Sequence, residues 1–495
     1  MSSLTLGSYN ELAESANNFH NAQRKAVFSR AHRNQNCAQA IMFCQLSMYP
    51  AEGRITSDNN IYIARMNSSS LMHSAFVLSN WTRYRRESFG GIVFNTRTQQ
   101  STFYDLPAAF AIERFANPTS LDSVCAHFKE QALAKEFLTA LIARGVLSEP
   151  STDTLRAQLF FTDVTEFRND RLHSPLGVEL ELTLRCGRNC TYCAYSSNPQ
   201  YSTIGQLSKA QYKDILLDLA NCGVCYVRFT GGDPLIRPDA LTIIETADEL
   251  PFALTVASDL TVLNTEKAAR LAALKHLAAV QTTLDGPTSA IADKHRGSGN
   301  FLSVCRGMEM LSALGVKLLV GTVLTKENTK HIYQTAELLS KWNVAYCVSP
   351  LYSAGRGREM EHLIPTNDDL AYAYEEYAAA INDGLVRPGD PAWHPLAASK
   401  TRDSRALLWA GQPWLVRSPD RILRIDPLGR CYAGIQLKEY LGDEVYIGSI
   451  TDSSTVSLWN TAPLLNRLRK ATNHNRYYGE VIDLRTALTS IQNNN

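Results

Sequence analysis

Short apolar runs alternate with amphipathic stretches between residue 176 and about residue 360. The apolar runs are rich in β-branched residues, as buried strands are, and read VELELTL, VCYVRF, FALTVA, AVQTTL, VKLLVGTV and VAYCVSP. Stretches of helical periodicity separate them, such as SKAQYKDILLDLANCG, where Ser208 can cap the first turn. Strands alternating with helices predict a parallel sheet covered by helices. Six such units predict an α/β fold, a partial (β/α)6 barrel over residues 176–360, with ligand chemistry at the carboxyl ends of its strands.

A different pattern fills residues 76–150. GIVFN and STFYDL are two β-type runs joined by the polar TRTQQ, which predicts a hairpin. Three helical segments follow; the second begins at the N-cap Ser120, and the third ends at Gly145. A hairpin and three helices in so short a span predict a winged-helix domain. Its helices are not notably basic, which weighs against binding to DNA.

The flanking segments are less regular. Residues 1–75 form an N-terminal extension of unknown role, in which Cys37 and Cys44 are predicted to share one face of a packed accessory helix. Residues 361–420 mix charges at helical spacing and predict a helical bridge. Residues 421–495 hold short strand-like runs and a helical stretch around SLWNTAPLLNRLRK.

Composition and charge exclude some classes of partner. The 495 residues carry a formal net charge of +1, with 45% hydrophobic and 20% charged residues. Such a balance argues against binding to bulk nucleic acid or to an anionic membrane. No apolar run reaches the ~18 residues of a membrane span, and the N-terminus lacks the layout of a secretory signal. We therefore expect a cytoplasmic protein whose eleven cysteines stay reduced and serve in packing or as metal ligands.

Three cysteines follow the first predicted strand directly. In LTLRCGRNCTYCAYSS, Cys186, Cys190 and Cys193 are spaced C-x3-C-x2-C, with no further Cys or His in the next 28 residues. A structural zinc site normally has four ligands, often in C-x2-C pairs, whereas three thiolates can hold three irons of a [4Fe-4S] cluster and leave the fourth open. Cys222 and Cys225 form another C-x2-C pair, but they flank a buried strand, as core cysteines often do.

This segment closely resembles the cysteine motif of the radical SAM superfamily. Tyr192 fills the position before the last cysteine, where that family favours an aromatic residue. The second strand ends in FTGGDPL, which is similar to the family's Gly-Gly-Glu-Pro run. By this resemblance Gly231 and Gly232 bring backbone close to the methionine amine of S-adenosylmethionine (SAM). Asp233, followed by Pro234, stands where the family more often has Glu, and its carboxylate can accept hydrogen bonds as that of Glu does.

Further motifs occur in the family's order. TTLDGP and the later DKHRGSGNF resemble the family's Ser-Leu-Asp-Gly segment and its Arg-Gly. The resemblance implies that Thr283 and Arg296 reach the SAM carboxylate, that Asp285 lies near the ribose, and that Ser258 is a further candidate at the SAM site. It also implies the cofactors, a [4Fe-4S] cluster and SAM. An electron from a flavodoxin- or ferredoxin-type donor would split SAM into methionine and a 5′-deoxyadenosyl radical, which removes a hydrogen atom from the substrate.

Two other segments point to a peptide substrate. RYRRESFGGIVFN resembles the recognition element at the front of enzymes that modify ribosomally made peptides. Such domains bind the leader of a precursor peptide as an added strand. Near the C-terminus, GRCYAG and YIGSITDSSTVSLWN resemble the start of a SPASM or twitch domain, which carries auxiliary iron–sulfur clusters in relatives. Ser453 stands where that pattern has a cysteine, and none of the 64 residues after Cys431 is a cysteine.

Without an auxiliary cluster, a redox-neutral reaction is the expected outcome. Hydrogen would leave one face of a Cα and return to the other, which converts an L-residue to a D-residue, as in proteusin-type radical SAM peptide epimerases, whose layout this chain resembles. Cys431 and Cys347 are the candidate thiol donors, and for each a buried structural thiol is the alternative. A cyclase that forms thioether or carbon–carbon crosslinks is the second hypothesis, and a non-catalytic peptide-binding protein with a relic cluster is the third.

Overall fold

The computed structural model describes most of the chain from residue 68 onward. The described residues are 68–96, 100–150, 158–160, 171–351, 353–389, 415–417, 421–434, 438–439, 442–471 and 481–483. Cys37, Cys44 and the helix predicted around them lie outside this part of the chain. No helix of the described residues is long and apolar enough to cross a membrane.

The secondary structure alternates strands and helices along most of this length. The strands are β1 (Ala75–Leu78), β2 (Thr82–Glu87), β3 (Gly90–Asn95), β4 (Gln100–Asp105), β5 (Thr119–Ser120), β6 (Leu147–Ser148), β7 (Gln158–Phe160), β8 (Gly177–Thr183), β9 (Tyr226–Gly231), β10 (Ala253–Ala257), β11 (Leu277–Thr283), β12 (Leu318–Leu324), β13 (Ala345–Pro350), β14 (Arg387–Pro388), β15 (Leu415–Arg417), β16 (Ile422–Ile425), β17 (Arg430–Ala433), β18 (Tyr446–Ser449) and β19 (Val481–Asp483). The α-helices are α1 (Ser68–His73), α2 (Leu106–Glu113), α3 (Leu121–Cys125), α4 (Gln131–Ala143), α5 (Lys209–Asn221), α6 (Ala240–Asp248), α7 (Thr265–Ala272), α8 (Ser289–Arg296), α9 (Asn300–Ala313), α10 (Ile332–Leu339), α11 (Asn367–Asn382), α12 (Thr455–Thr461) and α13 (Pro463–Ala471). Short 3₁₀ segments occur at Arg114–Ala116, Pro234–Ile236, Thr329–His331, Ser340–Trp342, Gly355–Leu363 and Gly442–Val445.

The chain divides into two compact units, each made of two segments. The first unit comprises Met1–Asn80 and Tyr104–Arg156, and the second comprises Trp81–Phe103 and Ala157–Asn495. Each unit has its own buried core.

The first unit contains the helices predicted between residues 106 and 145. Ser120 caps α3 and accepts a hydrogen bond from the backbone N–H of Ser123, as predicted. The chain leaves α4 through Gly145, two residues after the helix, with a φ of +68°, and the backbone N–H of Val146 donates to the carbonyl of Leu141 at 2.9 Å. That geometry is a Schellman cap, which requires a residue that tolerates a positive φ. Both helix boundaries are therefore confirmed.

The predicted hairpin is part of a four-stranded sheet in the order β4-β3-β2-β7. The strand prediction did not include β2, whose sequence TRYRRE is mostly charged and yet buried. Its buried guanidinium groups form hydrogen bonds with backbone carbonyls in place of water. Arg83 donates to the carbonyl of Pro251 at 2.8 Å, and Arg85 donates to that of Gly223 at 3.0 Å. Both acceptors lie in loops before strands of the parallel sheet, so these bonds hold β2 against the amino ends of that sheet.

Six parallel strands form the centre of the second unit and lie side by side in chain order, β8-β9-β10-β11-β12-β13. Helices follow the strands as predicted. The capping box at Ser208 is present, since its hydroxyl accepts from the backbone N–H of Gln211 while the Gln211 side chain accepts from Ser208. The six strand predictions and their parallel order are confirmed.

Side chains alternate between the two faces of these strands. Val178, Val227, Val280 and Tyr346 point toward the helices and belong to the main hydrophobic core. The opposite face, called the inner face below, therefore carries the residues next to them along each strand. These are Glu179, Arg228, Gln281 and Cys347, together with others at the same spacing.

The C-terminal strands continue the same sheet. β16 runs parallel to β8, with Arg424 opposite Glu179, and β17 and β18 add antiparallel strands beyond it. α12 and α13 cover the predicted helical stretch around SLWNTAPLLNRLRK. Helix α11 lies within the predicted bridge, most of whose remaining residues lie outside the described part of the chain.

Candidate active site

The three-cysteine segment forms a loop at the carboxyl end of β8, as predicted. The backbone N–H of Cys186 donates to the carbonyl of Asn198 at 3.1 Å, which closes the loop. Arg356, from the segment after β13, donates its Nε to the carbonyl of Cys190 at 2.8 Å and its backbone N–H to that of Cys193 at 3.1 Å. The first and last of the six strands thus jointly hold the loop in shape.

Sequence reasoning missed this clamp. Gly355 precedes Arg356 with a φ of +53°, and a β-carbon there would stand 2.2 Å from the carbonyl oxygen of Ala194. Glycine is therefore required for the close approach. The available signal was the Gly-Arg pair that follows the sixth strand in VSPLYSAGR, at the edge where ligand chemistry was expected.

The environment of the cysteine loop favours neutral thiols. Sγ of Cys186 lies 3.6 Å from Oδ2 of Asp259 and accepts from the backbone N–H of Arg188 at 3.5 Å. Burial raises the pKa of the Cys186 thiol, and the Asp259 carboxylate raises it further. Burial also raises the pKa of Cys190, against the opposing charge of Arg296. Metal binding must therefore displace protons from these thiols.

Three thiols are the donors that a [4Fe-4S] cluster with one open iron needs. Within the described residues, no three side chains of His, Cys, Asp or Glu surround one point as ligands of a single metal ion. A structural zinc site would need such a group. In a cluster each thiolate binds a different iron, so Cys186, Cys190 and Cys193 can hold a [4Fe-4S] cluster from separate positions around the loop.

The Gly-Gly turn after β9 packs against the chain that enters the cysteine loop. Gly231 has a φ of +125°, and a β-carbon on it would stand 2.0 Å from the carbonyl oxygen of Thr183. A β-carbon on Gly232 would stand 2.3 Å from that of Arg185. The backbone N–H of Gly232 donates to Thr183 at 2.8 Å. Both glycines are therefore required by backbone contact, and Pro234 then begins the short 3₁₀ segment.

Asp233 and Ser258 lie together beneath this turn. The Asp233 carboxylate is fully buried and accepts from the hydroxyl of Ser258 at 2.8 Å and from the backbone N–H groups of Leu235 and Asp259 at 2.9 and 3.1 Å. Burial raises the pKa of Asp233, and the neighbouring Asp259 carboxylate adds to the shift. The two side chains brace the loops after the second and third strands, and their contact with SAM stays a prediction.

Tyr192, Asp285 and Arg296 also meet. The Tyr192 hydroxyl and the Arg296 Nε both donate to Oδ2 of Asp285, and the backbone N–H of Val323 donates to Oδ1 at 2.8 Å. Burial raises the pKa of Tyr192. The arrangement ties the cysteine loop to the carboxyl ends of β11 and β12.

A cavity of about 150 Å³ adjoins this cluster. Tyr192 and Asp285 line it, together with residues that include Lys294, His295 and Glu327. Asp285, which the resemblance places near the ribose of SAM, therefore lies beside a cavity at the carboxyl edge of the sheet.

The two candidate thiols lie on opposite faces of the sheet. Cys347 packs with Ala279 and Leu319 on the inner face. Its backbone pairs with Gly321, and Gly321 in turn pairs with Thr283, the predicted SAM contact. Cys347 is thus at the level of Thr283, two strands away.

Cys431 is fully buried in the main core on the helix-covered face. It pairs with Ile425, which belongs to the same core, and burial raises the pKa of its thiol, with the Asp426 carboxylate adding to the shift. The structure therefore brings Cys347, and not Cys431, to the inner face.

Charged side chains on the inner face were also missed by sequence reasoning. Arg424 of β16 forms ion pairs at 2.6 Å with both Glu181 and Glu439, and its guanidinium lies 4.8 Å from the ring centre of Tyr195 in the cysteine loop. Arg228 contacts Glu179. The signal was the pair of glutamates at alternate positions within the otherwise apolar strand VELELTL.

Comparisons with known proteins agree with this site. Residues 180–339 match the family described as the radical SAM superfamily. Mycofactocin maturase MftC of Mycobacterium ulcerans (strain Agy99) is 30% identical over 304 residues, which make up 60% of this chain and 78% of that protein. PqqA peptide cyclase of Gluconobacter oxydans (strain 621H) is 25% identical over 311 residues, 60% of this chain and 79% of that protein.

A solved structure shares the fold. The crystal structure of Streptococcus suis SuiB bound to precursor peptide SuiA superposes with a TM-score of 0.59 at 15% identity, covering 80% of this chain and 90% of that one. The family match contains the cysteine loop and the Gly-Gly turn, and the similarity to the mycofactocin maturase extends well beyond it. This chain belongs to the radical SAM superfamily, which uses a [4Fe-4S] cluster and SAM.

Proposed function

We propose that this protein modifies a ribosomally made precursor peptide, and that the modification is the L-to-D epimerisation of residues in that peptide. The cluster and SAM together supply a 5′-deoxyadenosyl radical, which removes the hydrogen from a Cα. The chain's own residues must then hold the peptide, exclude other hydrogen sources and return a hydrogen from the opposite side.

The observation that carries the proposal is the position of Cys347. Its thiol belongs to the inner face at the level of Thr283, so the thiol and the predicted SAM contact flank the same part of that face. In the proposed reaction the Cys347 S–H bond breaks and its hydrogen forms the new Cα–H bond. The resulting thiyl takes one electron from a flavodoxin- or ferredoxin-type donor and one proton from solvent, which restores the thiol for the next turnover.

The environment of Cys431 also supports a redox-neutral outcome. An auxiliary cluster would require Cys431 as a ligand, yet this thiol is fully buried among the apolar residues of the main core. Ser453 occupies the position where the resemblance puts the next ligand. A crosslinking reaction removes two hydrogens from the peptide and therefore needs an electron acceptor, whereas epimerisation needs none.

Two features support a peptide substrate. The mycofactocin maturase and the PqqA peptide cyclase each align with 60% of this chain. The first name refers to maturation and the second to a peptide. In addition, β4 is an edge strand of the four-stranded sheet that contains RYRRESFGGIVFN. We propose that the leader of the precursor adds to this edge as a further strand, held by backbone hydrogen bonds.

A peptide cyclase is the second candidate, because one of the aligned relatives carries that name. Iron content separates the two functions. About four irons per chain favour the epimerase, whereas eight or more favour a cyclase with an auxiliary cluster.

The deciding experiment is a reaction in D2O with the precursor peptide. A thiol exchanges its proton with solvent, so each epimerised residue gains one deuterium at Cα and becomes a D-amino acid by chiral analysis. Mass spectrometry of a crosslinked product shows a loss of two mass units and no deuterium at Cα. That second result would overturn the epimerase in favour of the cyclase.

A further inference from the structure

A guanidinium lies across the inner face of the parallel sheet. Arg228 is in the middle of β9, and its neighbours Val227 and Phe229 belong to the helix-side core. Its Nε donates to Oε1 of Gln281 at 3.1 Å, and its Nη1 donates to Oε1 of Glu179. The arginine is therefore held at both ends, by a carboxylate on β8 and by an amide on β11.

Two small residues lie on β10 between these anchors. Thr255 and Ala257 are the inner-face residues of β10, and they pair with Arg228 and Gln281 respectively. Adjacent strands are about 4.8 Å apart, so the long arginine side chain can cross β10 to reach β11. Gln281 comes two residues before Thr283 on β11, which puts the guanidinium one layer of side chains, about 7 Å, below the level of Thr283 and Cys347.

The burial of this ion pair is asymmetric. The Glu179 side chain is 0% exposed, whereas that of Arg228 is 13% exposed. Oε2 of Glu179 is buried without a hydrogen-bond partner in the described residues. Arg228 is thus the more exposed member of the pair, and Glu179 is the fully buried one. A buried ion pair contributes little stability relative to apolar residues of similar volume, so stability alone does not account for it.

We propose that Arg228 is the specificity-determining residue of the inner face and binds an oxygen acceptor, a carbonyl or carboxylate, of the substrate peptide. Glu179 and Gln281 are positioning residues that fix the plane of the guanidinium. An acceptor bound there holds the adjacent Cα one layer higher, at the level of Cys347. This inference rests on the proposed peptide-modifying function and deepens it.

The test uses a double variant, because removal of Arg228 alone leaves a buried unpaired carboxylate, which is strongly destabilising. Arg228→Met with Glu179→Gln removes both charges at similar volume. The matched control is Arg270→Met with Glu245→Gln, which makes the same chemical change in a half-exposed ion pair between α6 and α7. Both proteins are reconstituted and assayed with the full precursor peptide, and with its leader segment alone.

For the Arg228 double variant we expect iron content, SAM affinity and leader affinity within twofold of wild type, while kcat/KM for the full peptide falls at least 100-fold. The Arg270 control should match wild type in every measurement. Product formation by the Arg228 double variant within threefold of wild type would overturn the inference. If the wild type itself leaves the peptide unmodified, the proposed function fails, and the two failures are thereby distinguished.

A second variant covers the case in which the double variant does not fold. Gln281→Leu leaves the Glu179–Arg228 pair intact and removes only the far anchor. We expect its KM for the full peptide to rise about tenfold, with leader affinity unchanged. An unchanged KM in Gln281→Leu would contradict the positioning role. Arg228→Lys keeps the charge next to Glu179 but lacks the planar fork, and it should recover part of the activity that the double variant loses.

Discussion

Gly321 separates Cys347 from Thr283 on the inner face of the sheet. The backbone of Gly321 pairs with Cys347 on one side and with Thr283 on the other. A β-carbon built on Gly321 would stand 3.7 Å from Sγ of Cys347. Strand β12 therefore contributes no side chain between the proposed hydrogen donor and the predicted SAM contact.

Replacing the two candidate thiols separates their roles. We expect Cys347→Ala to continue forming 5′-deoxyadenosine in the presence of peptide while D-residue formation falls below one hundredth of wild type, because no hydrogen returns to Cα. Cys431→Ala should keep the full epimer yield and lower the midpoint of urea unfolding, since it leaves a small cavity in the main core. Chiral amino-acid analysis and nucleoside quantification check both variants.

The opposite pattern would reverse the assignment. If Cys431→Ala abolished epimerisation and Cys347→Ala did not, the donor would have to reach the substrate from the helix-covered face. Cys305→Ala, on α9, is a matched control for the loss of one thiol elsewhere in the chain.

We expect the glycine at position 321 to affect the yield of epimerised product and not the stability of the fold. The new β-carbon of Gly321→Ala would make ordinary contacts of 3.7 and 3.9 Å, so the fold should tolerate it. We expect an unchanged unfolding midpoint and an epimer yield reduced several-fold, because the methyl group narrows the space in front of Cys347.

In Gly231→Ala the new atom would stand 2.0 Å from the carbonyl of Thr183, at a φ of +125°. That variant should instead bind less iron per chain, which iron analysis measures.

The sequence predicts the six strands well because each is an apolar run between helical stretches, and burial on both faces needs such runs. It predicts the cysteine loop because ligand spacing is local. β2 is missed because Arg83, Arg85 and Glu87 are buried through bonds to distant loops, which no local pattern reveals.

The choice between the two thiols depends on orientation. The alternation of side chains along β13 predicts the orientation of Cys347. Its neighbours Tyr346 and Val348 face the helices, so Cys347 lies on the other face. Cys431 lacks this signal because Tyr432 and Ala433 beside it are also buried apolar residues. The Gly-Arg pair after the sixth strand marks the position of Arg356 but not its partner, because the contact with the cysteine loop joins segments 166 residues apart.

The brace between Asp233 and Ser258 should contribute measurably to stability. Asp233→Asn replaces one acceptor oxygen by an amide that meets a backbone N–H, and we expect a loss of about 2 kcal/mol in the free energy of unfolding. Ser258→Ala removes the bond to the same carboxylate and also the acceptor of the Leu260 backbone N–H, and should cost about 2 kcal/mol. Urea unfolding under anaerobic conditions measures both. An unfolding free energy unchanged from wild type in either variant would contradict the brace.

The Arg85–Glu87 pair provides a test of how firmly β2 is anchored. Arg85→Met should lower the free energy of unfolding by about 3 kcal/mol or more, because Glu87 is left as a buried carboxylate. Burial raises the pKa of Glu87, and Arg85 opposes that shift. The double variant with Glu87→Gln should recover part of the loss. A double variant no more stable than Arg85→Met would show that the bonds of Arg85 to carbonyl groups carry the whole effect.

Glu181 is expected to make the free energy of unfolding depend on pH, because its pKa differs between the folded and the unfolded state. Burial raises its pKa from 4.5 to about 7; Arg424 and Lys438 oppose the shift, and Glu439 and Glu179 add to it. Between these values the folded state holds a proton that the unfolded state has released, so the free energy of unfolding falls as pH rises from about 4.5 to 7. The contribution of this group approaches about 1.4 kcal/mol per pH unit in that window and levels off above it.

Glu181→Gln mimics the protonated acid and removes this contribution. We therefore expect the variant to gain stability relative to wild type as pH rises from 5 to 8, measured as the difference between their urea midpoints. Glu266→Gln, at an exposed position on α7, controls for the loss of one carboxylate elsewhere. Parallel pH profiles for wild type and Glu181→Gln would mean that Arg424 keeps Glu181 ionised throughout. In that case the inner face would hold its full negative charge at neutral pH, and Arg228 and Arg424 would be the cations that balance it.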